Sequence, residues 1–213
     1  GDTRFDTVIE IAENFKPIPA IEAFLNGKKC IVVGSSWGSD EEVLQKVLTT
    51  LADNDIKLII APHEVNEGHL KELEKLFPVS ARFSELPAKE ANILIIDNVG
   101  MLSRLYKYSY IAYIGGGFTG DGVHNILEAA VYGKPVVFGK NFKKYKEAID
   151  LIDEGGANSF LTENELTQIL LELITNQNSY RQRCEASKRY VLKNKGATEK
   201  ILAYIDENRL LTR

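Results

Sequence analysis

The chain reads as an α/β protein, a doubly wound and mostly parallel sheet of six strands closed by C-terminal helices, on three observations. Short runs rich in β-branched residues alternate with segments of helical periodicity, the pattern of successive βαβ units. Those runs are apolar almost throughout, as strands covered on both faces must be. The C-terminal fifty or so residues carry apolar positions at helical spacing and no strand pattern.

Taken in order, residues 1–20 form a lead-in, with FKPIPA at 15–20 reading as irregular chain because of its two prolines. The folded domain is expected over 21–213. Strands are expected at 30–33, 58–60, 93–96, 111–114 and 136–138, with a weaker one at 79–83. Helices are expected at 41–52, 69–76, 101–108, 125–132 and 143–152, each between two strands or after the last. From 163 to 211 two or three helices close the domain, broken at 176–179 and at Gly196.

Composition narrows the function. The 213 residues are 44% hydrophobic, enough for a sizeable core, and the formal charge of -4 is spread along the chain, which argues against nucleic acid as a partner. Cys30 and Cys184 are too few and too far apart for a disulfide framework, so a reducing compartment fits. No apolar stretch approaches the ~20 residues of a spanning helix, and Gly1 opens into charged sequence rather than a signal peptide, so the chain itself is expected to be soluble.

In a doubly wound sheet ligands bind outside the carboxyl ends of the strands. Those ends read Gly34-Ser35-Ser36-Trp37-Gly38, Pro62-His63-Glu64, Asp97-Asn98-Val99-Gly100, Gly115-Gly116-Gly117-Phe118 and Gly139-Lys140-Asn141. Glycine lets backbone approach a ligand, and amides at a following helix start favour phosphate, so a nucleotide site is indicated. It is not a dinucleotide fingerprint, because no G-x-G-x-x-G follows the first strand, and a Walker A loop is missing. The triple glycine 115–117 is equally readable as a strained strand exit. Asn125 and Glu128 form N-x-x-E, which is either a capping box or a ligand pair placed by the preceding glycine-rich loop. Ser39 with Glu42 reads as a second capping box, and Asp40, Glu41 and Glu42 as first-turn residues favoured by the helix dipole. Ser35 and Ser36 are left as phosphate or carboxylate donors. His63 and His124 sit at element ends, and His69 reads as remote from any carboxylate pair, so no metal site is expected.

GDTRFD at 1–6, GSSWGSDEE at 34–42, IDNVGMLSRLY at 96–106 and GGGFTGDGVHNILEAA at 115–130 together resemble the C-terminal half of bacterial 3-deoxy-D-manno-octulosonic acid (Kdo) transferases. The resemblance implies a GT-B glycosyltransferase, in which two Rossmann-like domains face each other. Residues 1–20 then correspond to the interdomain connection, and this chain to the half that holds the CMP-Kdo donor. The lipid A precursor and a glutamate general base belong to the N-terminal half, so no catalytic residue is expected here. The resemblance also implies that transfer needs neither metal nor cofactor and that the whole enzyme works at the cytoplasmic face of the inner membrane. The resemblance places donor contacts on Ser35, Ser36, Pro62, His63, Asn98, Gly100, Gly115, Gly116, Gly117, His124, Asn125, Glu128 and Lys144. It departs from the family's pattern at Trp37-Gly38 for His-Glu, at Pro62-His63-Glu64 for Pro-Arg-His, and at Lys144 for Asn. Lys140, Lys143 or Lys144 could pair with the Kdo carboxylate. Half of a UDP-sugar transferase, half of a nucleotide-sugar epimerase, or a non-catalytic nucleotide-binding domain remain the alternatives.

Overall fold

The computed structural model describes residues 1–87 and 91–208. Its centre is one parallel sheet of seven strands: β1 Cys30–Ser36, β2 Lys57–Pro62, β3 Ser80–Arg82, β4 Ile93–Ile95, β5 Ile111–Ile114, β6 Val136–Gly139 and β7 Ala157–Phe160. They lie in the order β3-β4-β2-β1-β5-β6-β7, with every pairing parallel. The helices, in chain order, are α1 Arg4–Glu13, α2 Pro19–Leu25, α3 Gly38–Lys46, α4 Leu48–Asp53, α5 Glu67–Leu76, α6 Leu102–Leu105, α7 Leu127–Ala130, α8 Lys146–Asp153, α9 Glu163–Thr175, α10 Gln177–Lys193 and α11 Ala197–Glu207.

The continuous hydrophobicity of the strands has its reason in the two cores. Successive side chains of a strand point to opposite faces. Ile31, Val33, Leu58, Ile60, Ile111 and Tyr113 pack with Leu44, Leu70, Leu73, Leu166 and Leu170 on one side. Val32, Ile59, Ala112 and Ile114 pack with Phe5, Leu105, Leu127, Leu151 and Tyr190 on the other. Each fully buried aliphatic side chain contributes about 1.5–3 kcal/mol, so a polar residue at either parity is costly.

Side-chain caps set two of the C-terminal helix boundaries. Thr162 accepts the Glu165 amide to start α9, and Asn176 accepts the Ser179 amide to start α10. Gly196, at φ 93°, supplies the left-handed turn into α11. The three helices fall within the expected two or three; positions 209–211 lie outside the described residues.

Four expectations need correction. The sheet has seven strands, because Ala157-Asn158-Ser159-Phe160 pairs with β6 at the edge, where its two central residues are only partly buried and leave no apolar run. The sheet is wholly rather than mostly parallel. The helix expected at 41–52 starts at Gly38 and divides at Val47. The lead-in holds helix α1 and the start of α2, α1 being anchored by buried Phe5 and Val8, by an Arg4–Glu147 ion pair at 2.6 Å, and by Asp6, which accepts the Gly196 and Thr198 amides.

Strand order reverses at β1, which has β2 on one side and β5 on the other. The crevice of a doubly wound sheet opens at such a reversal, so Gly34 to Trp37 and Gly115 to Gly117 face the ligand side.

Candidate functional site

Chain packing alone requires the three glycines after β5. A Cβ on Gly115 would stand 2.2 Å from the Ser35 carbonyl oxygen, one on Gly116 2.4 Å from that of Gly122, and one on Gly117 2.4 Å from the Gly139 nitrogen. Gly116 also has φ 86°. The β5 exit is thus pressed against the β1 exit, the following loop and the end of β6. Two of its amides are already committed: Gly115 N donates to Gly34 O at 2.8 Å, and Gly116 N to Asp40 Oδ2 at 2.9 Å. Ser35, at the bulge that shifts the register between β1 and β2, has φ 52°, an uncommon conformation for a residue with a Cβ.

Asp40 ties the glycine turn down. It lies in the first turn of α3, as expected, but is completely buried. It accepts from Gly116 N, from Trp37 N at 3.1 Å and from the Tyr113 hydroxyl at 2.9 Å. Burial pushes its carboxyl above the usual range against the pull of these three donors. Since Asp40 serves the Trp37 amide, α3 is capped from Asp40 and not from Ser39.

Glu41, 3% exposed, accepts from the buried Ser36 hydroxyl at 2.7 Å and meets His69 Nε2 at 2.9 Å. Two sequence expectations change here. The Ser36 hydroxyl is spent on Glu41 instead of facing the crevice, and His69 does reach a carboxylate, because α5 packs beside α3. Asp40, Glu41 and His69 have no local signature in the sequence; their roles arise from contacts across elements.

Asn125 and Glu128 meet, but not as a closed capping box. Asn125 Oδ1 accepts the Leu127 amide at 3.1 Å, and Asn125 Nδ2 donates to Glu128 Oε1 at 3.1 Å. Glu128 therefore holds the Asn125 side chain rather than its backbone. It is largely buried, which pushes its carboxyl up, with the Asn125 amide opposing. A carboxyl raised by burial is a candidate ligand contact.

His124 and His63 join a residue the sequence had marked only as a departure. Trp37 Nε1 donates to His124 Nε2 at 3.1 Å. The His63 ring lies 4.4 Å from Trp37 and 4.7 Å from His124, within 25° of parallel to both. Pro62 pairs with Ser36 across the sheet, and the His63 amide donates to Ser36 O, which brings the β2 exit to the same place. Asn98 and Gly100 lie apart, exposed on the loop after β4, with β2 between β4 and β1.

A groove of about 740 Å³ opens at the carboxyl ends of β6 and β7, lined by Gly120, Gly122, Lys140, Asn141, Phe142, Lys143, Lys144, Ser159, Leu161 and Glu165. It adjoins the glycine turn, because Asn141 N donates to Gly117 O and Asn141 O accepts from Val123 N. Lys144 Nζ is 3.2 Å from Gly120 O. Lys143 and Lys144 precede α8 instead of opening it. Ser159, Leu161 and Glu165 were missed because the seventh strand was.

No family model matches the chain. It is 27% identical over 194 residues to a 3-deoxy-D-manno-octulosonic acid transferase of Aquifex aeolicus, over 81% of this chain and 55% of the relative. It is 29% identical over 192 residues to a bifunctional glycosyltransferase/methyltransferase of Fusobacterium nucleatum, over 73% of this chain and 29% of that one. The chain thus spans about half the length of the first of these relatives and less of the second. Among solved structures, the C-terminal CMP-Kdo binding domain of WaaA from Acinetobacter baumannii superposes with a TM-score of 0.72 at 20% identity, covering 88% of this chain and 99% of that domain. In sequence the chain is thus similar to Kdo transferases, and its fold is a Rossmann-like α/β sheet of the kind that forms one half of the GT-B fold.

Proposed function

We propose that this chain is the donor-binding half of a glycosyltransferase that moves Kdo from CMP-Kdo to a lipid A precursor in lipopolysaccharide biosynthesis. The observation that carries the reading is the arrangement at the β1/β5 reversal. There His124 packs on Gly116, Asn125 follows it and holds Glu128 by a hydrogen bond, and the groove of Lys140, Lys143 and Lys144 adjoins the same turn. Glu128 is assigned to the ribose hydroxyls. The lysine groove is assigned to the phosphate and the Kdo carboxylate, whose two negative charges need more than the few uncommitted amides. Among the roles expected from sequence, those of the Gly115 and Gly116 amides and of the Ser36 hydroxyl pass to these side chains. Asn98, Gly100 and Pro62 are kept as contacts at the edge of the cleft.

The acceptor, the general base and the placement at the cytoplasmic face of the inner membrane belong to the remainder of the enzyme in this reading. Among the described residues no helix is long and apolar enough to cross a membrane. Stabilising the CMP leaving group is this half's part in catalysis, through fixed positive charge at the departing phosphate.

Thermal unfolding in the presence of nucleotides tests the proposal. CMP should raise the melting temperature more than UMP, ADP or GDP, since a ligand selective for the native state adds RT ln(1 + [L]/Kd), about 2.7 kcal/mol at a hundredfold excess over Kd. A larger rise with UDP-sugars than with CMP would overturn the cytidine assignment in favour of a UDP-sugar enzyme. Kdo transfer by this chain alone would overturn the placement of the base.

A further inference from the structure

Trp37 stands where the chain departs from the pattern it otherwise resembles, and it makes a directional bond to His124. An indole N–H only donates, so His124 Nε2, 3.1 Å away, must accept with its lone pair, and the neutral ring then carries its proton on Nδ1. A proton on Nε2 would set two donors against each other. His63 reinforces this state. Because Trp37 and His124 are bonded edge to edge, His63 lies over the pair from one face, stacked on both rings. A cation on His124 would be formed directly beneath that second imidazole. The His124 backbone is fixed as well, its amide donating to Gly115 O at 3.1 Å, with the ring packed on Gly116. Burial holds the imidazole below its usual range; of the charged and titratable groups facing it, His63 after β2 adds to that effect and Asp121 in the preceding loop opposes it.

We propose that Trp37 is a positioning residue that locks His124 in the Nδ1–H tautomer, so that the crevice offers the donor phosphate a neutral hydrogen-bond donor. The phosphate half of this statement rests on the nucleotide reading above; the tautomer half does not. An ordinary histidine changes charge between pH 5 and 8, and a locked one keeps its donor through that range. Trp37→Phe keeps an aromatic ring, smaller than the indole, for His63 to stack on and removes the N–H donor.

The protein has three histidines, His63, His69 and His124, so nitrogen NMR of histidine-labelled protein resolves each ring. The expected result in the unaltered chain is a single neutral tautomer of His124, protonated on Nδ1, at pH 8. In Trp37→Phe the His124 proton should be shared between both nitrogens, with the titration midpoint moved up because the cation no longer faces the indole N–H. With the competent tautomer then populated at roughly one half to one fifth, CMP should bind about two- to fivefold more weakly at pH 8. A wild-type His124 protonated on Nε2 would overturn the proposal without recourse to any variant. So would an unchanged tautomer and midpoint in Trp37→Phe, or unchanged CMP affinity despite a changed tautomer. If the tautomer changes as expected while CMP perturbs no histidine in either protein, the nucleotide reading fails and the lock on His124 stands.

Discussion

Removing the Asp40 carboxylate should cost the fold more than most single substitutions, and the structure says how much. Asp40→Ala leaves the Gly116 amide and the Tyr113 hydroxyl without an acceptor, both in fully buried surroundings. Each orphaned buried donor costs about 1–3 kcal/mol, so the loss of these two should be about 2–6 kcal/mol; the bond from the Trp37 amide is only part-buried and is left out of the sum. For a domain of this size that corresponds to a melting temperature lower by roughly 4–24 °C. Asp40→Asn behaves differently. Its amide oxygen can serve the two N–H groups that Oδ2 serves, while its NH₂ faces Tyr113, whose hydroxyl rotates to accept. Only the charge is lost, along with the penalty of burying it, so this variant should stay within about 1.5 kcal/mol of the parent. Acidity supplies an independent check. Because burial raises the folded pKa of Asp40, its contribution is fully present below the unfolded value of about 3.9 and is lost as pH rises through the folded one. The stability of the parent relative to Asp40→Asn should therefore grow as pH falls. Chemical denaturation at several pH values measures all three quantities. Equal losses for alanine and asparagine, or an alanine loss below about 1 kcal/mol, would refute the claim that Asp40 works as an acceptor for the glycine turn.

Glu128→Gln should leave the ligand-free melting temperature nearly unchanged, because the amide oxygen can still accept from Asn125, while CMP affinity falls about tenfold by titration calorimetry. Unchanged affinity would confine Glu128 to supporting Asn125. Gly116→Ala should destabilise by about 2–5 kcal/mol, adding the left-handed backbone cost to a Cβ forced 2.4 Å from Gly122 O, whereas Gly100→Ala, with a similar φ of 89° and open space around it, should lose only about 1–2 kcal/mol. Equal losses at the two glycines in denaturant melts would remove the packing argument. Burial pushes the Cys30 thiol up to about 12, leaving roughly one thiolate in ten thousand at pH 8, so iodoacetamide should modify half-buried Cys184 first and Cys30 only on unfolding, as read by peptide mass analysis.

The α/β architecture was legible because its cause is local. A strand covered on both faces must be apolar at both parities, as 30–33 and 111–114 are, and helices that cover a sheet repeat every three to four residues, as Leu166, Leu170 and Leu173 do. The edge strand at 157–160 escaped because one side of it is open, so Asn158 and Ser159 carry no penalty there. The glycines at 115–117 and the pair Asn125 and Glu128 were visible as a cluster, but two readings of each survived, since a capping box and a ligand pair share one sequence pattern.

What the amino-acid sequence determined by itself is therefore the layered fold and the strand ends where chemistry gathers, both of which follow from burial and backbone freedom within a few residues. Tertiary structure alone decided which of those groups are free to act. Asp40 and Glu41 look like ordinary first-turn acids until β5 lays the Gly116 amide on one and α5 brings His69 to the other. Ser36 looks available until Glu41 claims it. Trp37, 87 residues from His124, becomes its partner because β1 and β5 lie side by side, and a hydrogen bond between residues so distant in the chain has no imprint on local periodicity.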